Sequence, residues 1–158
     1  MDDEAFLVDS TLNKLARWLR VLGYDAARHD GPLDRSLLNR GAGGNRIVLS
    51  RKRSLGQRQY RGRLLIVRAD KPDEQIDEVV RALRLRPRRD RMFTRCLSCN
   101  DLLEPVEAST LTGRVPPYVL QARETFVRCP RCGSILWAGT HRDRMSENIR
   151  KHNLIDRP

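Results

Sequence analysis

Apolar and polar positions follow a regular order over the first 25 residues of the chain. A short apolar run at 5–8 ends at Asp9, as in a buried strand, and apolar residues then recur at helical spacing until Gly23. The helical positions are Leu12, Leu15, Ala16, Leu19 and Leu22. The opposite face carries Lys14, Arg17 and Arg20. This pattern predicts a strand followed by a helix whose leucines cover a sheet, with cations held near Asp9.

The order of strand and helix then repeats along the chain. Further strands are predicted at 24–28, 47–49 and 64–67. Helices are predicted at 35–40 and from Pro72 onward, where a proline and two acids occupy the first turn. Strands that alternate with helices predict an α/β fold, with a small parallel sheet and flanking helices.

A proline among charged residues at 85–91 interrupts this alternation, and we place a domain boundary there. We assign residues 1–87 to the α/β domain. Residues 88–158 form a second unit, which we interpret as a zinc ribbon with a basic tail. The end of that tail, from residue 141, is expected to be a helix that packs back or a partly disordered arm. His141 and His152 lie in it and are expected to be surface or RNA-contacting residues.

All four cysteines lie in the second unit, in two C-x-x-C pairs separated by residues 100–128. They are Cys96, Cys99, Cys129 and Cys132. Four thiolates at this spacing predict a closed, tetrahedral zinc site with a structural role. Disulfides and redox pairs are the alternatives, although a reducing compartment disfavours the first and redox pairs normally occur singly. Strands of the zinc ribbon are predicted at 126–128 and 134–137, and residues 100–124 are predicted to form a loop or a small element.

The chain is strongly basic, with a formal net charge of +11 from 31 Lys and Arg against 20 Asp and Glu. This charge favours a polyanionic partner, RNA or DNA ahead of an anionic membrane, although a GC-rich genome also enriches arginine. Basic runs at 50–69 and 81–95 suggest a continuous track for such a partner. No apolar run approaches the ~20 residues of a membrane span, and the acidic start lacks the pattern of a secretory signal. We therefore expect a cytoplasmic protein.

Three aspartates stand at junctions of the predicted α/β fold. Asp9, Asp34 and Asp70 precede helices, and two of them, Asp9 and Asp70, follow strands. The carboxyl ends of parallel strands meet at one edge of a sheet, where clustered carboxylates would bind Mg²⁺ or Mn²⁺ and promote attack on a phosphodiester. An aspartate in this position is also an ordinary helix N-cap, so both interpretations stay open.

Several of these motifs occur together in one known family. They include Leu-Ala-Arg-Trp-Leu-Arg, Leu-Gly-Tyr-Asp and the paired C-x-x-C motifs. The matching segments are 6–9, 15–20, 22–25, 34, 46–50, 72–75, 114–117, 137–145 and the cysteine pairs. With these segments the chain resembles the Mut-seven C-terminal ribonuclease domain family over nearly its whole length. The resemblance implies a PIN-like nuclease fold followed by a four-cysteine zinc ribbon, and metal-dependent RNA cleavage. It implies Asp9 and Asp34 as catalytic acids and Asp70 as a further candidate.

One acid of the family pattern is absent from this chain. Residues 49–52 read Leu-Ser-Arg-Lys, where the family pattern is Leu-Thr-Arg-Asp. An ammonium group near the remaining carboxylates competes with a divalent cation for them, so we expect Lys52 to weaken cleavage.

Two functions are therefore the leading hypotheses, and both use the same basic surface. One is an RNA-binding protein of the PIN-like ribonuclease class with weakened, metal-dependent cleavage. The other is a non-catalytic RNA- or ribosome-binding factor, with ribosomal and transfer RNA as candidate partners. A protein-interaction adaptor is a third and weaker hypothesis. The predicted nucleic-acid contacts are Lys14, Arg17, Arg20, Arg51, Lys52 and Arg53.

Overall fold

Four parallel strands form a sheet in the N-terminal half of the protein. The computed structural model describes residues 3–155, without the side chains of residues 140 and 141. The strands are β1 (Ala5–Asp9), β2 (Asp25–His29), β3 (Ile47–Ser50) and β4 (Leu64–Ile66). Helix α1 (Asn13–Val21) follows β1, α2 (Arg35–Gly43) follows β2, and α3 (Pro72–Ala82) follows β4. A short 3-10 turn follows β3. The strand order is β2-β1-β3-β4, so the predicted α/β fold with a parallel sheet is confirmed.

Helices cover both faces of this sheet. On one face, Phe6 and Val8 of β1 pack with α1 and α3 in a first core. On the other face, Leu7 packs with Leu37 and Leu38 of α2 in a second core. Alternate residues of β1 thus enter different cores, as the two-residue period of a strand requires. The central strands β1 and β3 are apolar up to their last residues, Asp9 and Ser50, because both of their faces are buried.

The C-terminal half contains a second, antiparallel sheet. It consists of β5 (Glu104–Val106), β6 (Phe126–Arg128) and β7 (Ile135–Trp137). The β6-β7 hairpin was predicted, whereas β5 and the short helix α4 (Pro117–Ala122) arise from the segment predicted as a loop or small element. A third core joins Leu111, Val119 and Phe126, so this sheet and α4 pack on each other. We call the β5–β7 sheet, α4 and the four cysteines the cysteine lobe.

The chain ends in a helix that returns to the first core. Helix α5 (Thr140–Lys151) contributes Met145 and Ile149 to that core, and Leu154 follows them. Of the two forms predicted for the tail, the structure therefore has the packed helix. The side chain of His141 and the predicted tail at 156–158 lie outside the described residues. The domain boundary after residue 87 stays a prediction.

The first C-x-x-C segment covers the free edge of β2. Arg20 of α1 donates from Nε and Nη2 to the Ala26 carbonyl, at 3.0 and 2.8 Å, and from Nη1 to the Leu97 carbonyl at 2.6 Å. The Ala26 amide in turn donates to Oδ1 of Asn100 at 3.0 Å. The side chains of Arg20 and Asn100 thus form the hydrogen bonds that another strand would form with Ala26. This edge of the sheet is therefore not available for pairing with a further strand.

Candidate acidic site and cysteine cluster

Asp9 ends the central strand β1 with its carboxylate fully bonded. The residue is 0% exposed. One carboxylate oxygen accepts from the Thr11 amide at 2.7 Å, which is an N-cap bond to the 3-10 turn that precedes α1. The other accepts from Oγ of Ser50 at 2.6 Å and from the Arg51 amide at 3.3 Å. Asp9 therefore caps a helical turn and also fixes the loop after β3, where Arg51 and Lys52 lie.

Asp34 caps α2 at the same edge of the sheet. Its carboxylate accepts from the amide of Ser36 at 2.8 Å and from the hydroxyl at 2.7 Å. These hydrogen bonds from Ser36 hold the pKa of Asp34 below its ordinary value, and the charges of Arg58 and Lys52 act in the same direction. Asp34 therefore stays ionised at neutral pH and faces cations from two nearby positions.

Lys52 reaches across from the loop after β3 to the loop before α2. Its amide donates to Oγ of Ser50 at 3.1 Å, and its ammonium donates to the Leu33 carbonyl at 2.7 Å. The ammonium is thus fixed on the residue that directly precedes Asp34 in the sequence. Among the described residues, Lys52 has no carboxylate oxygen within 4.0 Å. That Lys52 competes with a divalent cation for the carboxylates stays a prediction.

Asp70 lies in the loop after β4 and pairs with Arg51. Its side chain is 85% exposed and forms an ion pair with Arg51 at 2.5 Å. Arg51 therefore contacts two of the predicted acids, Asp9 through its backbone amide and Asp70 through its guanidinium. Within residues 3–155, however, these acids are not part of any set of three or more side chains whose ligand atoms lie within 4.8 Å of one another. The carboxylates as placed do not form a closed site for Mg²⁺ or Mn²⁺.

The predicted nucleic-acid contacts divide into exposed and buried cations. Lys14, Arg17 and Arg53 are exposed, and none of their side chains forms an ion pair or hydrogen bond with another described residue. Arg20 is different. It is only 7% exposed, and its guanidinium donates to backbone carbonyls. The assignment of Arg20 to the binding face is therefore wrong, because the first C-x-x-C segment covers that part of α1.

The four cysteines form the set of side chains best suited to bind a metal ion. All four Sγ atoms lie within 4.8 Å of one another, and those of Cys96 and Cys132 are 3.9 Å apart. Four sulfurs around zinc at roughly 2.3 Å lie about 3.8 Å apart, whereas a disulfide requires about 2.05 Å. The cysteine cluster therefore fits a tetrahedral metal ion such as zinc.

The two C-x-x-C turns share one backbone geometry. The residue after each pair, Asn100 or Gly133, has a left-handed conformation, with φ of 72° and 74°. Its amide donates back to the carbonyl of the first cysteine, at 2.8 Å for Asn100 and 2.9 Å for Gly133. Asparagine and glycine are the residues that adopt this conformation most readily. Each turn thus directs its two thiols to the same side.

Cys132 is the exposed member of the cysteine cluster. Hydrogen bonds from the hydroxyl and amide of Ser134 lower the pKa of its thiol to about 6. The Cys132 thiolate therefore forms readily at neutral pH, and a thiolate is the form that binds a metal ion.

Comparison with known families agrees with this arrangement of a parallel sheet and a cysteine cluster. A family model described as the Mut7-C RNAse domain matches residues 4–149. The chain belongs to the Mut7-C RNAse domain family. Membership confirms the resemblance found in the sequence and indicates a nuclease or RNA-related role. No significant match was found among curated proteins or solved structures. None of the helices described in this protein is long and apolar enough to cross a membrane.

Several residues of the sites were missed from the sequence. Ser50 links Asp9 to Lys52, and Asn100 links the cysteine cluster to β2. Ser50 is the last residue of β3, so its place in the chain is a signal for a role at the sheet edge. Asn100 stands where Gly133 stands in the second turn, and comparison of the two C-x-x-C motifs would have identified it as a left-handed position.

Proposed function

We propose that this Mut7-C protein binds RNA at the carboxyl edge of its parallel sheet and that its cleavage of RNA is weak or absent. Family membership supports the RNA-related role. The exposed side chains of Lys14, Arg17 and Arg53, which pair with no other residue in the described part of the chain, support a surface for phosphates. The observation that carries the proposal is the ammonium of Lys52, fixed on the Leu33 carbonyl beside Asp34.

A weakened site follows from the charges at this edge. A cation held near Asp34 opposes the approach of Mg²⁺ or Mn²⁺. The other two acids are also engaged, because Asp9 accepts hydrogen bonds on both oxygens and Asp70 pairs with Arg51. These contacts favour the second candidate as well, a non-catalytic RNA- or ribosome-binding factor. We keep Mg²⁺ or Mn²⁺ as the family's expected ions and assign no step to them.

We also infer that the cysteine cluster holds zinc in a structural role. Four thiolates leave no open coordination position for a substrate. The cluster also lies beside β2, the strand at one edge of the sheet. The proposed RNA surface is formed instead by the loops after the carboxyl ends of β1, β3 and β4.

The experiment that tests the weakened site replaces Lys52. Labelled single-stranded RNA is incubated with Mn²⁺ and the wild type, Lys52→Asp or Lys151→Asp. The last variant makes the same charge change at an exposed position of α5. We expect slow or no cleavage by the wild type and by Lys151→Asp. Lys52→Asp is expected to cleave at least about tenfold faster, equivalent to about 1.4 kcal/mol in the barrier.

The second set of variants removes acids from the faster enzyme. Asp34→Asn in the Lys52→Asp background is expected to abolish the gain in cleavage. Asp9→Asn is included with a thermal denaturation measurement, since Asp9 is buried and also caps a turn. Rapid cleavage by the wild type would contradict the weakened site. Equal, slow rates for all variants would favour the non-catalytic factor, and an absence of RNA binding at low salt would refute both.

A further inference from the structure

A groove lies between α2 and the loop at 58–62, on the face of the sheet that carries the second core. Its volume is about 820 Å³, within the ~300–1,000 Å³ typical of ligand sites. Three arginines line it, Arg35, Arg58 and Arg61, and Asn39 and Gln59 add polar groups. No acidic side chain is among its lining residues. We call it the arginine groove.

Tight packing fixes the wall of the arginine groove. Tyr60 lies under the loop, and a Cβ atom at Gly62 would stand 2.2 Å from its hydroxyl oxygen. A Cβ atom at Gly41 of α2 would stand 3.1 Å from the same oxygen. Arg35 also ties the loop to α2, because its Nη1 donates to the Gln59 carbonyl at 2.9 Å. Gly41 and Gly62 therefore leave room for the Tyr60 side chain, and Arg35 of α2 fixes the loop at 58–62 by its hydrogen bond.

The arginines of the groove keep donors available for an anion. Arg58 and Arg61 are exposed, and their guanidinium groups form no ion pair or hydrogen bond with another described residue. Arg35 is exposed too and uses one donor on a carbonyl. Arginine's planar fork suits phosphate oxygens, and free guanidinium groups lose no internal partner on binding.

The arginine groove begins beside the acidic site. Arg35 directly follows Asp34 and is the first residue of α2. The charge of Arg58 acts on the Asp34 carboxylate. The arginines of the groove therefore lie next to the acid that Lys52 adjoins.

We propose that the arginine groove binds the phosphodiester backbone of the RNA strand on the Asp34 side of the acidic site. This inference rests on the proposed function and adds Arg35, Arg58 and Arg61 to the RNA contacts. The groove offers cations and neutral polar groups without a carboxylate that would repel phosphate. It binds the backbone of any sequence, because phosphate contacts fix position and carry no base readout.

Two double variants with equal charge test this proposal. Arg58→Ala/Arg61→Ala removes two cations from the groove. Arg144→Ala/Arg150→Ala is the control, because these exposed arginines of α5 adjoin Met145 and Ile149 of the first core, on the other face of the sheet. Binding of a fluorescent, single-stranded RNA is measured by anisotropy over a series of salt concentrations.

We expect the groove variant to bind at least about tenfold more weakly than the wild type at low salt. Its plot of log affinity against log salt should be less steep by about 1.4, since each lost contact to a single strand removes about 0.7. The control pair should keep the wild-type slope. If the groove variant matches the control while both bind RNA, the groove is not the site and the proposed function stands. If the wild type itself binds no RNA, the proposed function fails first.

Discussion

At the scale of single residues, Asp25 connects three separate parts of the chain. Its carboxylate accepts from both terminal nitrogens of Arg46, at 2.7 and 3.1 Å, and from Nδ2 of Asn100 at 2.7 Å. Arg46 also donates to the Phe6 carbonyl of β1 at 3.0 Å. Burial works to raise the pKa of Asp25, but the hydrogen bonds from Arg46 and Asn100 outweigh it, and the pKa is lowered.

This lowered pKa predicts that Asp25 contributes to acid sensitivity. Its stabilising effect is complete above the unfolded pKa of about 3.9 and is lost as the pH falls through the lower, folded pKa. Asp25→Asn is expected to cost about 1 kcal/mol at pH 7 and less as the pH approaches 3. Urea denaturation from pH 7 to pH 3 checks this. Asp30→Asn is the control, because Asp30 is exposed and pairs only with Arg28 among the described residues. A constant difference between wild type and Asp25→Asn at every pH would contradict the prediction.

At the scale of elements, the polar face of α1 shows what periodicity can and cannot predict. Helical spacing correctly predicted that Leu15 and Leu19 enter the core and that Arg17 faces away from it. Arg20 continues the same polar stripe. It is nevertheless covered by the first C-x-x-C segment, where its bonding partner Leu97 lies 77 residues later in sequence. Periodicity identifies a polar face, but a distant segment decides whether that face meets water.

Arg20 therefore predicts a large loss of stability on substitution. Arg20→Met keeps much of the side chain's length but leaves the carbonyls of Ala26 and Leu97 without their donors. We expect a loss of about 3 kcal/mol in the free energy of unfolding, because several buried hydrogen bonds are broken together. Arg17→Ala, on the exposed side of the same helix, should change stability by less than about 0.5 kcal/mol. Equal urea midpoints for the two variants would show that Arg20 does not join α1 to the C-x-x-C segment.

The elements between the cysteine pairs show a second limit of the sequence. Strand β5 has three residues with a proline at its centre, and it is defined by backbone pairing with β6. Such a strand has no alternation to detect. The cysteine cluster was predictable because ligand spacing is local, whereas the contacts of Lys52 and Arg51 depend on how separate loops meet at the sheet edge.

At the scale of the whole molecule, the C-terminal helix α5 packs against elements of the N-terminal half. Helix α5 packs into the first core, and Nε2 of His152 lies 3.2 Å from the Asp73 carboxylate at the start of α3. The guanidinium of Arg142 lies 4.4 Å from the centre of the Phe93 ring. The cysteine lobe is thus anchored both before and after its sheet, and its first turn completes the edge of β2.

This arrangement predicts that removal of the metal exposes the edge of the parallel sheet. The wild type is expected to contain one zinc ion per chain, and Cys132→Ser to contain much less, by elemental analysis. After chelation, the first C-x-x-C turn loosens and Asn100 no longer holds the Ala26 amide. Hydrogen exchange at Ala26 should then become at least about tenfold faster, because local opening costs less. The amides of the inner strands β1 and β3 serve as the internal control and should keep their protection. Unchanged exchange at Ala26 in metal-free protein would mean that the side chains of Arg20 and Asn100 hold this edge without the ion.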